Sequence, residues 1–170
     1  MSLKRKAGII VGMQRRIEVW RRGHLVDVDE KYIDLGDLVV DGGLDALCGQ
    51  AFDGSANRPA VFNYVAIGTD GTAPSASQTS LGNEVMRVQG TYTKDANVGE
   101  CSMDATFNIT ASYALQECGL FNASSGGTMY CRDTYTTKNV QNGDTVKASE
   151  ECPRMRPKCI ILRSSRGQHR

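Results

Sequence analysis

The chain has 170 residues, 20 basic against 19 acidic for a net charge of +1, with 40% hydrophobic and 6% aromatic residues. That length suits one domain with a core of its own, and the near-neutral charge excludes a global field that would draw in nucleic acid or a membrane surface. No apolar run reaches the length of a membrane span, and the Met-Ser-Leu-Lys-Arg-Lys start lacks a signal peptide's apolar stretch, so the expected place of folding is the cytoplasm.

Residues 1–15, with Lys4, Arg5, Lys6 and Arg15 among glycines, predict a basic arm ordered only by a partner. From residue 16, Ile17, Val19 and Arg21 alternate with Arg16, Glu18 and Trp20 as in a half-buried strand. Arg22-Gly23-His24 turns the chain, and Leu25 to Leu35 return as the second strand of a hairpin. After Leu38-Val39-Val40 the period changes: Leu44, Leu47, Cys48 and Phe52 share one face of a helix over 42–52, with Asp41 as its cap. That face is expected to plug one end of a sheet.

The chain is organised around Tyr64 to Glu84, where an apolar strand ends in Gly68-Thr69-Asp70-Gly71-Thr72 and a Pro-Ser-Ala-Ser loop leads to Leu81-Gly82-Asn83-Glu84. Gly68 and Gly71 suit positive φ, Asp70 can bond its own backbone, and Pro74 fixes φ. The stretch carries backbone in a fixed shape and holds nothing reactive. Glu84 to Thr93 reads as one further strand. Glu100 to Ala111 alternates most cleanly, with Cys101, Met103, Ala105, Phe107 and Ile109 on one face. Tyr113 to Asn122 and Gly127 to Thr136 flank the Ala123-Ser124-Ser125-Gly126 connection, and an Asn142-Gly143-Asp144 turn leads into Thr145-Val146. The pattern predicts a mainly β chain, an antiparallel β-sandwich or jelly-roll-like barrel over 16–149, with one short α-helix and extended N- and C-terminal arms.

Residues 150–170 differ. They carry Arg154, Arg156, Lys158 and Arg163 around the apolar run Cys159-Ile160-Ile161-Leu162. Two readings stand: a solvated tail, or one that threads a neighbouring subunit and adds Ile160 to Leu162 as a strand. The basic ends suit acidic faces of a protein lattice. Nucleic-acid phosphates are the competing partner, without an aromatic platform and with the two patches at opposite ends of the chain.

No catalytic, cofactor or metal motif is found, and no enzyme activity is expected. The acidic residues Asp27, Asp29, Glu30, Asp34 and Asp37 either pair with basic groups or bind calcium. Cys152 and Cys159 with His169 fit no compact zinc finger. The six cysteines are reduced thiols in a cytosolic product, or form one or two disulfides after release, with Cys118 and Cys131 the first pair. Glu117 lies between apolar residues, and a structural pairing with Arg87 or Arg132 is expected.

The segments LVVDGGLDAL (38–47), YVAIGTDGTAPSASQTSLGNEVMR (64–87), ECGLFNASSGGTMYCR (117–132) and VQNGDTVKAS (140–149) occur in an order that resembles small virion proteins of tailed bacteriophages. The opening RIEVWRRGHL (16–25) is similar to their first hairpin. The resemblance implies a non-enzymatic virion structural protein, assembled in the host cytoplasm: a capsid decoration or cement protein over contacts between major capsid subunits. It equally suits a tail, baseplate or fibre-attachment protein. A host-surface glycan-binding module, using the loops Gly71 to Ser80 and Ser124 to Gly127 with Tyr64 and Tyr130, is a third reading. Expected partners are the major capsid protein or other virion proteins and further copies of the chain, through homo-oligomer or lattice contacts. Contact residues would be Arg5, Lys6, Arg15, Arg154, Arg156, Lys158, Ile160, Ile161, Leu162 and Arg163. Such proteins finish with an apolar strand after the GDT segment. Here Val146-Lys147-Ala148-Ser149 runs into Glu150-Glu151-Cys152-Pro153, so either that strand is short and residues 159–162 replace it, or the tail is an addition.

Overall fold

A computed structural model of the chain describes residues 7–9, 14–31, 38–56, 58–96, 99–152 and 157–159. Its elements are β1 (Ala7–Ile9), β2 (Gln14–Arg21), β3 (His24–Lys31), β4 (Leu38–Val39), α1 (Asp41–Phe52), β5 (Tyr64–Gly68) and β6 (Glu84–Gln89). They continue with β7 (Thr91–Lys94), β8 (Cys101–Asn108), β9 (Tyr113–Phe121), β10 (Met129–Val140), β11 (Thr145–Cys152) and β12 (Pro157–Cys159). Two five-stranded antiparallel sheets, ordered β4-β10-β9-β5-β6 and β3-β2-β11-β8-β7, face each other as a β-sandwich. Both sheets keep their edges, so the architecture is a sandwich and not a closed barrel.

The core lies where the alternating strands meet. Ile17, Val19, Phe107, Val146 and Ala148 of the second sheet pack against Val65, Ile67, Leu115, Cys118 and Leu120 of the first. In β8, Met103, Ala105 and Phe107 are buried while Asp104, Thr106 and Asn108 are exposed, as their period of two requires. The first hairpin turns on Arg22 and Gly23, at φ +51° and +80°, the pair of left-handed residues that a two-residue turn between twisted strands needs.

Several expectations are corrected. The single strand over 84–93 is two strands in different sheets, β6 and β7, joined at Gly90. A Cβ there would lie 2.7 Å from the Met103 sulfur and 3.3 Å from the Asp104 carbonyl oxygen, so any larger residue would have to displace the Met103 side chain. The Asn142-Gly143-Asp144 turn likewise joins opposite sheets; its closing bond runs from the Asp144 N–H to the Gln141 carbonyl (3.0 Å). The last strand is not cut short: β11 runs to Cys152, paired along its length with both β2 and β8. In the same ladder β2 begins at Gln14, and Arg15 is 2% exposed.

The helix also departs from its expected orientation. Val40, not Asp41, is the N-cap and gives no side-chain cap. Phe52 is 88% exposed and Leu44 is exposed, while Gly43 and Ala46 are buried. The docking face is set by close approach: a Cβ on Gly43 would collide with the Tyr130 carbonyl oxygen and lie 2.7 Å from the Tyr130 Cα. Gly43 lies against β10 and Leu47 packs against the core, while Leu44 and Phe52 turn away.

One end of the inter-sheet layer is filled with charge. Arg15 bonds Asp133 (3.0 Å) and Asp29 (2.9 Å), Lys31 bonds Asp133 (2.7 Å), and Lys138 bonds Asp27 (2.8 Å). Arg16 pairs with Glu30. Cations thus take up Asp27, Asp29 and Glu30 in place of calcium, and Asp34 and Asp37 lie outside the described residues. Inward charges on β3 also protect an edge strand whose outer side exposes Val26 and Val28. Cys118 stands opposite Asp133 and Cys131 opposite Leu120, so the two thiols are not cross-strand partners and form no disulfide.

Gly43→Ala should lower the unfolding midpoint despite alanine's better helix propensity, by roughly 1–3 kcal/mol of strain. Gly42→Ala, whose Cβ would meet only the Thr128 methyl at 3.6 Å, should be neutral or stabilising by up to about 1 kcal/mol. Equal effects at the two positions, by urea denaturation, would contradict the docking geometry.

Acid should destabilise the fold. Hydrogen bonds from Arg21 hold the Asp144 carboxyl below its ordinary range, against burial. At Asp29 burial alone would raise the pKa, but Thr136 and Arg15 hold it down. Carboxyls depressed in the folded state leave the unfolded chain binding protons first, so stability is complete above the unfolded range and is lost as pH falls through the folded values. The urea midpoint should be flat from about pH 7 to 5 and drop below about pH 4. A midpoint that stays level to about pH 2.5 would contradict this.

Candidate functional site

The return from β5 to β6, residues 69–83, crosses the outer face of the first sheet and is pinned there from below. Glu117 on β9 and Arg132 on β10 both point to that face and are both fully buried, with Nε to Oε2 at 2.9 Å. The Glu117 carboxylate also accepts the backbone N–H groups of Asp70 (3.1 Å), Gly82 (2.9 Å) and Asn83 (2.8 Å). Arg132 donates to the Thr72 carbonyl (2.8 Å), the Gln78 side-chain oxygen (3.3 Å) and the Asp70 carbonyl (3.3 Å) and carboxylate (3.2 Å). Of the two partners expected for Glu117, Arg132 is the one found.

Glycines are needed here for space. Neither Gly68 nor Gly71 has positive φ, contrary to expectation. A Cβ on Gly68 would strike Glu117 and the Asn83 carbonyl, and one on Gly82 would strike the Asp70 carboxylate. Asp70 accepts the Thr72 N–H (3.0 Å) and hydroxyl (2.7 Å), which hold its carboxyl below the usual range, with Arg132 adding to the effect. Leu81 then closes a second small core with Val40, Ala66, Phe121 and Met129. Arg87 lies 3.6 Å over the Phe121 ring and donates to Glu84 and to the Ala123 and Gly126 carbonyls, fixing the 123–126 connection.

A groove of about 560 Å³ opens between α1, residues 61–63 and strands β7 and β8. Leu47, Val61, Phe62, Tyr92, Met103 and Leu120 make its apolar walls, with Gln50, Asn63 and Ser102 adding polar groups. Glu150, almost fully buried, closes the inner side and accepts the Cys118 thiol at 3.3 Å. Val61 and Tyr92 are 66% and 59% exposed. Sequence reasoning missed this groove because its lining is drawn from α1, residues 61–63, residues 90–92 and strands β8, β9, β10 and β11. The signal that could have marked it is an apolar Val61 and Tyr92 at positions with no pattern to bury them. Tyr130 is buried against Phe62, with ring centroids 5.0 Å apart, at the groove's inner side, and Tyr64 packs half-buried on the second core.

The residues expected to make contacts are distributed unevenly. Arg15 is withdrawn into the inter-sheet ion pairs and offers no surface charge. Lys158 lies in β12, opposite Gly8 of β1. Arg5, Lys6, Arg154, Arg156, Ile160, Ile161, Leu162 and Arg163 lie outside the described residues. The arm and tail, expected as separate ends, meet: Ala7, Gly8 and Ile9 pair with Cys159, Lys158 and Pro157. The register of this two-stranded ribbon differs by one residue from that of the β2–β11 ladder, in which Gln14 pairs with Glu151. The two terminal segments are therefore side by side at residues 7–9 and 157–159.

Charge is divided accordingly. Residues 1–13 hold three basic residues, residues 153–170 hold six, and neither segment holds an acid. Residues 14–152 keep the other 11 basic residues against all 19 acidic ones, a net charge of −8.

Among the described residues no helix is long and apolar enough to cross a membrane, and no group of His, Cys, Asp or Glu is placed to hold a metal ion. Compared with known protein families, curated proteins and solved structures, the chain matches none.

Proposed function

We propose that this chain is a non-enzymatic structural protein of a tailed-bacteriophage virion, a decoration or cement protein lying over contacts between major capsid subunits. The observation that carries this reading is the Glu117–Arg132 clamp. Its parts come from the segments that bear the phage resemblance: Gly68, Gly82 and Asn83 from one, Glu117 and Arg132 from another. In that reading the motifs encode a stiff frame, and their charged groups are consumed by one another and by backbone.

A stiff acidic body with a basic ribbon suits a lattice protein. Each copy contacts capsid subunits and further copies weakly, and repetition by symmetry sums those contacts through avidity. The groove adds an apolar seat on the body.

Quantitative mass spectrometry of purified virions tests this. A copy number of about one per major capsid subunit is expected for a lattice protein. A few tens of copies or fewer would overturn the capsid position in favour of the tail or fibres, and absence from virions would overturn the structural reading.

A further inference from the structure

We propose that Cys101 and Cys152 form a disulfide that staples β8 to β11 when the protein meets an oxidising medium. The two residues stand directly opposite each other in the β8–β11 ladder. Among the described strand pairs this is the one rung with a cysteine on both sides. Cys118 stands between Asp133 and Ile67, Cys131 between Leu120 and Val39, and Cys159 faces Ala7.

Register supplies the geometry. Directly opposed residues of an antiparallel pair share a face and have Cα atoms about 4.5–5.5 Å apart. Disulfides span Cα separations of about 4.4–6.8 Å, so the two cysteines come within bonding range with the strands in their native places. The rung is also the last of its ladder, since Cys101 opens β8 and Cys152 ends β11. The adjustment that brings two Cβ atoms to about 3.8 Å is therefore made at strand ends, outside the paired interior.

Access selects the same pair. Cys101 carries a free thiol, is partly exposed and lines the open groove, whereas Cys118 and Cys131 are buried. Cys48 is exposed but lies on α1, outside every ladder. The oxidant is a low-molecular-weight disulfide of the glutathione type. The Cys101 thiolate attacks one of its sulfurs, expels one glutathione thiolate and is left as a mixed disulfide. The Cys152 thiolate then attacks the Cys101 sulfur, closes the cross-strand bond and expels the second glutathione thiolate. The two cysteine protons pass through solvent to the two released thiolates, and the two electrons reduce the glutathione disulfide. A reducing cytoplasm keeps both cysteines as thiols, and the bond forms once the protein leaves it. Closing the chain between 101 and 152 restricts the unfolded state and ties the end of β11 to the sandwich. The staple is a property of the chain alone, whatever assembly it joins.

The test starts from the full chain equilibrated in reduced glutathione or in glutathione disulfide and then alkylated. Trypsin with a glutamate-specific protease leaves Cys101, Cys152 and Cys159 on separate peptides. The oxidised sample should yield peptides 101–117 and 152–154 joined to each other. Its melting temperature should exceed that of the reduced protein by at least about 5 °C. Cys101→Ser and Cys152→Ser should each abolish the joined peptides and the oxidation-dependent shift, while Cys48→Ser should keep both. The comparison of oxidised with reduced wild type stands even if a variant fails to fold. Cys101 and Cys152 left unlinked, or either one joined to a different cysteine, would overturn the proposal. A joined pair that brings no gain in melting temperature would also overturn it, because the bond would then not fit the native register.

Discussion

Burying a carboxylate and a guanidinium together costs several kcal/mol per ion unless each is fully hydrogen-bonded. Glu117 and Arg132 meet that demand by drawing the 69–83 segment onto them. Three N–H groups turn toward the carboxylate, and two carbonyls, with the Asp70 and Gln78 side chains, turn toward the guanidinium. The other local features follow. Gly68 and Gly82 leave room for the close approach, Asp70 is tied to Thr72, and Leu81 is lowered onto Ala66 and Phe121. A long connection without strands of its own thereby becomes a third layer over the sandwich.

The same economy of charge shapes the opposite side of the first sheet. Where apolar packing between the sheets gives out, Arg15, Asp29, Asp133 and Lys138 fill the space as paired ions. The two networks use adjacent residues of β10, since Arg132 faces the outer layer and Asp133 the inner one. A one-residue slip of β10 against β9 would exchange these faces and strand both groups, so the charges specify register as well as contributing contacts. The groove adjoins the inner network, since its lining residue Glu150 stands opposite Arg15 in the β2–β11 ladder.

Much of this was legible in the sequence, for identifiable reasons. The alternation in β2 and β8, the Arg22-Gly23 turn and the buried Glu117 are local signals with one physical solution. What was not legible depends on distant partners. Gly90 looks like a residue within one strand until Met103 packs against it. The helix pattern of Leu44, Leu47, Cys48 and Phe52 names an apolar face, of which Leu47 packs on the core, yet Leu44 and Phe52 stay exposed because Tyr130 of β10 takes Gly43 at close range. Arg15 looked like part of an arm because its partner Asp133 lies 118 residues away. The groove leaves only a weak trace in the sequence, the unpatterned apolar Val61 and Tyr92, since its lining is spread over α1, residues 61–63 and strands from β7 to β11.

The measurement that bears most directly on the clamp is amide hydrogen exchange, residue by residue, at Asp70, Gly82 and Asn83. These N–H groups belong to no strand ladder, and Gly82 and Asn83 are exposed as whole residues, so the Glu117 carboxylate is their stated source of protection. The expected result is exchange as slow as that of the β5 ladder amides, opening only with the fold. Exchange at the rate of a solvated loop would show that the segment is not pinned, and would contradict the frame from which the proposed function is drawn.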